Sequence, residues 1–255
     1  ADLQSCSAMT DTSYPVPGRG TWTRAGGLLP GRVGATTRAG YYRVAGVGET
    51  PIGAAYALGA DRSHDPYMAY LAVRAIQRLV GFTGTQVDGV FAAPTGKAVI
   101  AAQKRWGVEA DGIVGRTTMK AGLTPLIREI AVHNDVPLPI LGGLLVNESA
   151  LDPAAVGVNG ADHGIAQINL AAHGATVSLE MAMEPGYATM FSAQDLAQVH
   201  ATWVGKTKAD PWDVAIANHN SPALARRWAQ SGLPPFVPGR LFQIEDYVAR
   251  VREAW

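Results

Sequence analysis

The sequence has no excess of either charge and almost no cysteine. Lysine and arginine together number 21, as do aspartate and glutamate, so the 255 residues carry no formal net charge. This balance gives no reason to expect nucleic acid or an anionic membrane as the main partner. The single Cys6 cannot form an internal disulfide bond, and no apolar run reaches the roughly 18 residues of a membrane span. No signal-peptide pattern opens the chain. The first residue is Ala1 rather than Met, which indicates processing, trimming or a piece of a longer polypeptide.

Histidine is also scarce, and the histidines are far apart. A zinc peptidase or amidase needs His, Asp or Cys ligands clustered at short spacings. No two histidines have an HxxxH-like spacing; they are His64, His133, His163, His173, His200 and His219. We therefore expect neither a metal site nor a cofactor.

Glycine recurs through residues 1–62, in PGRG, RAGG, PGRVG and VAGVG. Threonine and aromatic residues between these glycines predict short strands joined by turns. We expect a small β-rich or irregular N-terminal arm, with a dedicated binding module as the alternative. The segment has no catalytic spacing, and assembly into a virion or envelope complex would use it.

Residues 63–123 contain an internal repeat. In each copy a helical stretch carries a glutamine, and an Asp-Gly pair is followed by a threonine seven positions after the aspartate. The three residues of the two copies are Gln77, Asp88 and Thr95, and Gln103, Asp111 and Thr118. The Asp-Gly pairs predict tight turns, because glycine tolerates a positive φ and aspartate can bond its own backbone. Each threonine is expected to cap the helix that follows it.

This repeat resembles the small three-helix peptidoglycan-binding domain of cell-wall hydrolases. Other positions of that motif are filled by Gly89, Phe91, Gly112 and Gly115, while Ala92 stands where the family usually has glycine. The resemblance implies that residues 63–123 bind peptidoglycan. Most of the motif residues shape turns and the core.

Residues 124–255 form the third segment. Thr124-Pro125 predicts a helix start, because threonine is a good N-cap and proline suits the first helical position. Further along, Leu141, Leu144, Leu145 and Glu148 fall at i, i+3, i+4 and i+7. This spacing places the glutamate on the apolar stripe of a helix.

A carboxyl group on such a stripe is partly desolvated, which favours its protonated form. A protonated carboxyl near neutral pH is what a general acid needs in order to protonate a leaving oxygen. The equally weighted alternative is that Glu148 ends its helix and turns to solvent. After it, Asp152-Pro153 predicts a turn, and the amides of Gln167 and Asn169 suit a cleft for N-acetylated sugars.

The third segment also resembles the soluble lytic transglycosylase family. The resemblance lies in Glu148-Ser149, in GIAQ with Gln167, in AIANHNS with Asn220, and in DYVARV with Tyr247. It implies a lysozyme-like, mainly helical domain over residues 124–255 with Glu148 as the catalytic residue. Gln167 and Asn220 would position the saccharide, and Tyr247 would lie close to the glutamate. His219 and Pro222 depart from the family's usual tyrosine and glycine, which affects the expected sugar subsites.

Asp162 leaves two reactions open. The string DHGIAQIN, which Asp162 begins, also resembles the string that carries the second carboxylate of c-type lysozymes. A lysozyme uses that carboxylate as nucleophile or base. A lytic transglycosylase instead lets the 6-hydroxyl of the sugar attack, giving a 1,6-anhydro end. Alternatively, Asp162 caps the turn before GIAQIN.

The two resemblances together imply a modular enzyme that cleaves the β-1,4 bond between N-acetylmuramic acid and N-acetylglucosamine. The expected fold is mainly α, and the expected partner is the glycan strand of peptidoglycan. A phage lysin or virion component and an exported envelope enzyme both fit. A non-enzymatic protein that only binds the wall is the rival interpretation.

Overall fold

The computed structural model describes residues 40–43, 55–56, 66–89, 91–157 and 160–255. The fold is mainly α, which confirms the predicted class. Most of the predicted N-terminal arm, including Cys6, lies outside the described residues, and so does His64. Two short strands of the arm are described, β1 at Gly40–Arg43 and β2 at Ala55–Tyr56.

Helices make up most of the remaining structure. The described helices are α1 Pro66–Leu79, α2 Ala93–Trp106, α3 Arg116–His133, α4 Leu138–Ser149, α5 Leu170–His173, α6 Leu179–Met183, α7 Pro185–Trp203, α8 Pro211–Asn220, α9 Pro222–Ser231 and α10 Ile244–Glu253. The described strands after the arm are β3 Ile113–Gly115, β4 Asp162–His163 and β5 Ile168–Asn169.

The chain forms two compact units that alternate along the sequence. The first comprises the described residues up to Pro125 and those of Leu151–Ala188, and the second comprises Leu126–Ala150 and Thr189–Trp255. Two of the three boundaries fall within α3 and α7, and the third follows the end of α4. The predicted segment boundaries at residues 62 and 123 stay predictions.

The predicted helix start at Thr124-Pro125 is wrong, because both residues lie inside α3. The Thr124 hydroxyl donates to the carbonyl oxygen of Lys120 one turn earlier, instead of capping a new helix. Proline removes one backbone N–H from the helix. The continuous helix tolerates this loss because apolar residues on both sides of the proline, Leu123 and Ile127, are fully buried.

In the first unit, α1, α2 and the start of α3 surround a core that includes Leu71, Ile76, Val99 and Met119. β1 pairs antiparallel with both β2 and β3, with a register shift between Gly40 and Tyr42. β4 and β5 form a short antiparallel pair in which Asp162 lies opposite Asn169. Gly164 in the connecting turn has a φ of 73°, and a side chain there would overlap the carbonyl oxygen of Ala182.

In the second unit, α4 is the central helix. Its residues from Ile140 to Val146 are all buried, and α8 and α10 pack against it. Gly142 and Gly143 allow this close packing, because a side chain would overlap the ring of Trp255 at the first and the carbonyl oxygen of Val251 at the second. The close approach of α10 to α4 places the buried side of α10 beside the end of α4.

Candidate functional site

The internal repeat builds two matching hydrogen-bond networks in the first unit. In the first copy the side-chain amide of the buried Gln77 donates to the carboxylate of Asp88 at 2.7 Å and to the hydroxyl of Thr95 at 3.2 Å. Its oxygen accepts from the N–H of Gly89 at 2.9 Å. One glutamine therefore fixes the Asp-Gly turn against the next helix.

The second copy repeats this arrangement. The amide of Gln103 donates to the carboxylate of Asp111 at 2.9 Å and to the hydroxyl of Thr118 at 3.1 Å. Its oxygen accepts from the N–H of Gly112 at 2.9 Å. Buried amides satisfied on both sides stabilise a turn rather than offer groups to a ligand.

The two threonines do not cap helices as predicted. α2 begins after Ala92, so Thr95 already lies in the first turn of the helix. α3 begins at Arg116, and the hydroxyl of Thr118 donates back to the carbonyl oxygen of Ile113 at 3.0 Å. Their hydroxyls are used by the buried glutamines, whose unmet hydrogen bonds would cost more than an uncapped helix start.

In the second unit, Tyr247 contacts Glu148, the proximity that the family resemblance implied. The Tyr247 hydroxyl on α10 donates to Oε1 of Glu148 on α4. The tyrosine is buried and the glutamate half-buried. Burial, together with the neighbouring Glu148 carboxylate, raises the pKa of Tyr247 well above its ordinary value. The phenol therefore stays protonated and acts as a fixed donor.

The end of α4 is tightly turned beside this pair. Ala150 ends the helix with a φ of 55°, a left-handed conformation that costs energy for a residue with a side chain. Ser149 is half-buried, and its hydroxyl donates to the carbonyl oxygen of Leu145 at 3.3 Å. Its predicted contact with substrate stays a prediction.

Two arginines of the second unit make side-chain contacts that were not predicted from the sequence. Arg250, three residues after Tyr247 on α10, donates from Nε to Oδ1 of Asn147 at 3.4 Å. Arg240 donates from Nη2 to Oδ1 of Asn220 at 2.8 Å. Asn220 is exposed at the end of α8. No sequence signal marked either contact, because both depend on how distant parts of the chain pack.

The remaining predicted residues belong to the first unit. Asn169 donates from its amide to Oδ1 of Asp162 at 2.7 Å across the β4–β5 pair, and its oxygen caps α5 by accepting from Ala172 at 2.9 Å. Gln167, with a φ of 49°, donates to the carbonyl oxygens of Gly164 at 2.9 Å and Ala155 at 3.2 Å. These contacts hold the turn, and the predicted roles of all three toward substrate remain untested.

Two acidic residues in the first unit have raised pKa values that the sequence did not predict. Asp152 was expected only to form a turn, yet it is fully buried, and burial raises its pKa to about 8 despite a hydrogen bond from the N–H of Ala154. Burial likewise raises the pKa of Glu184, which accepts from the N–H of Tyr187 at 2.8 Å. No sequence signal marked either position, because a carboxyl beside proline usually lies at the surface.

The described residues contain neither a candidate metal site nor a candidate membrane helix. Among those residues, His, Cys, Asp and Glu form no group of three that could hold a metal ion. Every helix in the same part of the chain is too short or too polar to cross a bilayer.

The comparison with protein families covers the repeat region. Residues 71–121 match the model of a peptidoglycan-binding domain family. No curated protein matches the chain. The matched residues contain both glutamine networks, so those networks support the folded shape of a wall-binding module. The match supports peptidoglycan as a partner of this protein and the bacterial cell wall as its place of action.

Proposed function

We propose that this protein is a lytic transglycosylase that cleaves the β-1,4 bond between N-acetylmuramic acid and N-acetylglucosamine in peptidoglycan. The observation that carries the proposal is the Glu148–Tyr247 pair. A half-buried carboxyl at the end of an apolar helix accepts a hydrogen bond from a buried phenol. It occurs in a chain whose residues 71–121 match a peptidoglycan-binding family.

In the proposed reaction Glu148 acts first as acid and then as base. Its carboxyl gives a proton to the glycosidic oxygen as the bond from that oxygen to C1 of the muramic acid breaks. The 6-hydroxyl of the same sugar then attacks C1, and its proton returns to Glu148. No water is consumed, the carboxyl is regenerated, and the product carries a 1,6-anhydro end.

Tyr247 would orient the acid. Because its hydroxyl occupies Oε1 of Glu148, Oε2 is the atom that would carry the proton. Asn220 would contact the saccharide through its amide nitrogen, since its oxygen is held by Arg240. In the first unit, Gln167 would offer a ligand its carbonyl oxygen, since its nitrogen already donates to two backbone carbonyls.

The matched module would hold the enzyme on its insoluble substrate. Tethering raises the effective concentration of glycan strands at the catalytic unit without any added contact there. Both a phage lysin and an exported envelope enzyme would use the module in this way. The role of residues 1–62 in assembly stays an expectation.

A hydrolytic muramidase is the alternative reaction. It would need Asp162 as the second carboxylate, and the Asn169 amide that contacts Asp162 would then orient it. The two reactions give chemically different ends, so the products decide between them.

The proposal is tested with Glu148→Gln, which keeps an oxygen to accept from Tyr247 but cannot give up a proton. We expect release of soluble fragments from purified peptidoglycan to fall by about 10³-fold, within the range of general acid catalysis. Co-sedimentation with the wall should be unchanged. The matched control is Glu129→Gln, an exposed glutamate on α3, which should cleave like the wild type.

Two outcomes would overturn the proposal. If wild-type protein binds the wall but releases nothing, the protein is a non-catalytic wall-binding component. If Glu148→Gln releases fragments as fast as the wild type, another residue is the acid.

A further inference from the structure

The loop between α9 and α10 exposes four large apolar side chains. Leu233, Phe236, Leu241 and Phe242 are 71%, 70%, 86% and 58% exposed. Isolated apolar residues are common on protein surfaces. Four within ten residues indicate a surface suited to binding a ligand or a partner. The loop belongs to the second unit, together with Glu148 and Tyr247.

Phe242 is distinguished within this loop by its contact with α10. The guanidinium carbon of Arg250 lies over the Phe242 ring, 5.3 Å from the ring centre. The same arginine donates to Asn147, the residue that precedes Glu148. One arginine therefore connects the exposed ring to the helix end that carries the candidate acid.

The loop around the ring is held in a defined shape. Gln243 accepts from the N–H of Val237 at 2.8 Å and donates to the carbonyl oxygens of Val237 at 3.1 Å and Arg240 at 3.2 Å. Arg240 in turn is bonded to Asn220 at the end of α8. A ring fixed before binding loses little conformational entropy when a ligand covers it.

We propose that Phe242 forms the floor of a saccharide subsite beside Glu148, where an N-acetylhexosamine of the glycan strand stacks on the aromatic ring. Arg250 covers one face of the ring, and the sugar takes the other. The apolar face of a pyranose presents C–H groups with partial positive charge, which the negative face of an aromatic ring attracts. The identity of the ligand rests on the proposed function, whereas the position of the ring rests on the contacts of Arg250.

The other explanation is a general apolar patch that a lipid surface or a second copy of the chain covers. Such a patch would use all four apolar side chains, and Leu241, the most exposed, would matter as much as its neighbour. A stacking subsite needs the ring of Phe242 in particular. Leu241→Ala and Phe236→Ala are therefore the matched controls.

The experiment measures binding of a soluble tetrasaccharide of alternating N-acetylglucosamine and N-acetylmuramic acid by calorimetry. The full chain carries Glu148→Gln so that binding is measured without cleavage. We expect Phe242→Ala and Phe242→Leu to weaken binding by about fivefold, and Phe242→Trp to restore it. Leu241→Ala and Phe236→Ala should bind like the parent.

Three results would overturn the inference: no binding by the parent protein, equal binding by the parent and Phe242→Leu, or equal losses in all the loop variants. Wild-type cleavage is assayed in parallel to keep the two proposals apart. If the wild type cleaves peptidoglycan but Phe242 has no effect on binding, only the subsite is wrong. If binding depends on the ring but the wild type never cleaves, the proposed reaction is wrong and the subsite stands.

Discussion

The glutamine networks of the first unit and the Glu148–Tyr247 pair of the second are both polar groups set among apolar ones. Each network closes on itself over short distances in sequence, 11 residues between Gln77 and Asp88, and leaves no donor of its glutamine for a ligand. Glu148 and Tyr247 are 99 residues apart, and the glutamate is only half-buried. A closed local network stabilises a turn, whereas the open pair, built from distant helices, leaves a carboxyl group partly exposed, as the proposed reaction requires.

The comparison predicts the largest stability loss in the closed networks. Gln77→Ala leaves the N–H of Gly89 and the carboxylate of Asp88 without their buried partner, so the protein should lose about 2–4 kcal/mol of unfolding free energy. Gln103→Ala should behave in the same way, and the exposed Gln198→Ala should change little. Denaturant unfolding measures the difference. If Gln77→Ala is as stable as the Gln198 variant, the network is not what holds the turn.

Asp152 is a buried acid outside the two glutamine networks, and its raised pKa predicts how stability depends on pH. Its pKa is about 8 in the folded chain against 3.8 as the reference value, so the folded state binds more protons between those limits. Stability is therefore greatest below pH 4 as far as this group is concerned, and falls with rising pH by up to about 1.4 kcal/mol per unit until about pH 8.

The neutral variant Asp152→Asn should remove that part of the slope. Melting temperature measured from pH 4 to 8 would then fall less steeply in the variant than in the wild type. The exposed Asp135→Asn serves as the control and should keep the wild-type slope. Parallel curves for Asp152→Asn and the wild type would contradict the buried, protonated state.

The smallest effect is expected from removing the Tyr247 hydroxyl. Tyr247→Phe keeps the buried ring but removes the hydroxyl that would orient Glu148, so cleavage should slow by about tenfold, which corresponds to the roughly 1.4 kcal/mol of one hydrogen bond. Thermal stability should change little. Peptidoglycan turnover at saturating wall, compared with turnover at low wall concentration, separates lost orientation from lost binding. An unchanged rate would mean that the phenol is only structural.

Some features of the glutamine networks and of the Glu148–Tyr247 pair could be predicted from the sequence. The repeat of Gln, Asp-Gly and Thr marks the two turns, because turn chemistry is local. The spacing from Leu141 to Glu148 places the glutamate at the end of an apolar helix, because helical periodicity is local too. The proximity of Tyr247 to Glu148 was expected from a family resemblance, not from spacing.

The sequence could not predict where tertiary packing would override the local preference of a residue for a helix start or a cap. Thr124 and Pro125 are good residues for a helix start, but buried apolar neighbours extend α3 through them. Thr95 and Thr118 are good caps, but buried glutamines use their hydroxyls. Arg240 reaches Asn220 across 20 residues, and Arg250 reaches Asn147 across 103, so both contacts depend on how helices pack.

The most direct test of the account is a mass spectrum of the soluble products that wild type and Glu148→Gln release from purified peptidoglycan. The account predicts wild-type fragments one water lighter than the corresponding reducing muropeptides, and almost no fragments from the variant. Ordinary reducing ends would show a hydrolase and make Asp162 the prime candidate for a second carboxylate. Equal fragment yields from both proteins would contradict the central role of Glu148.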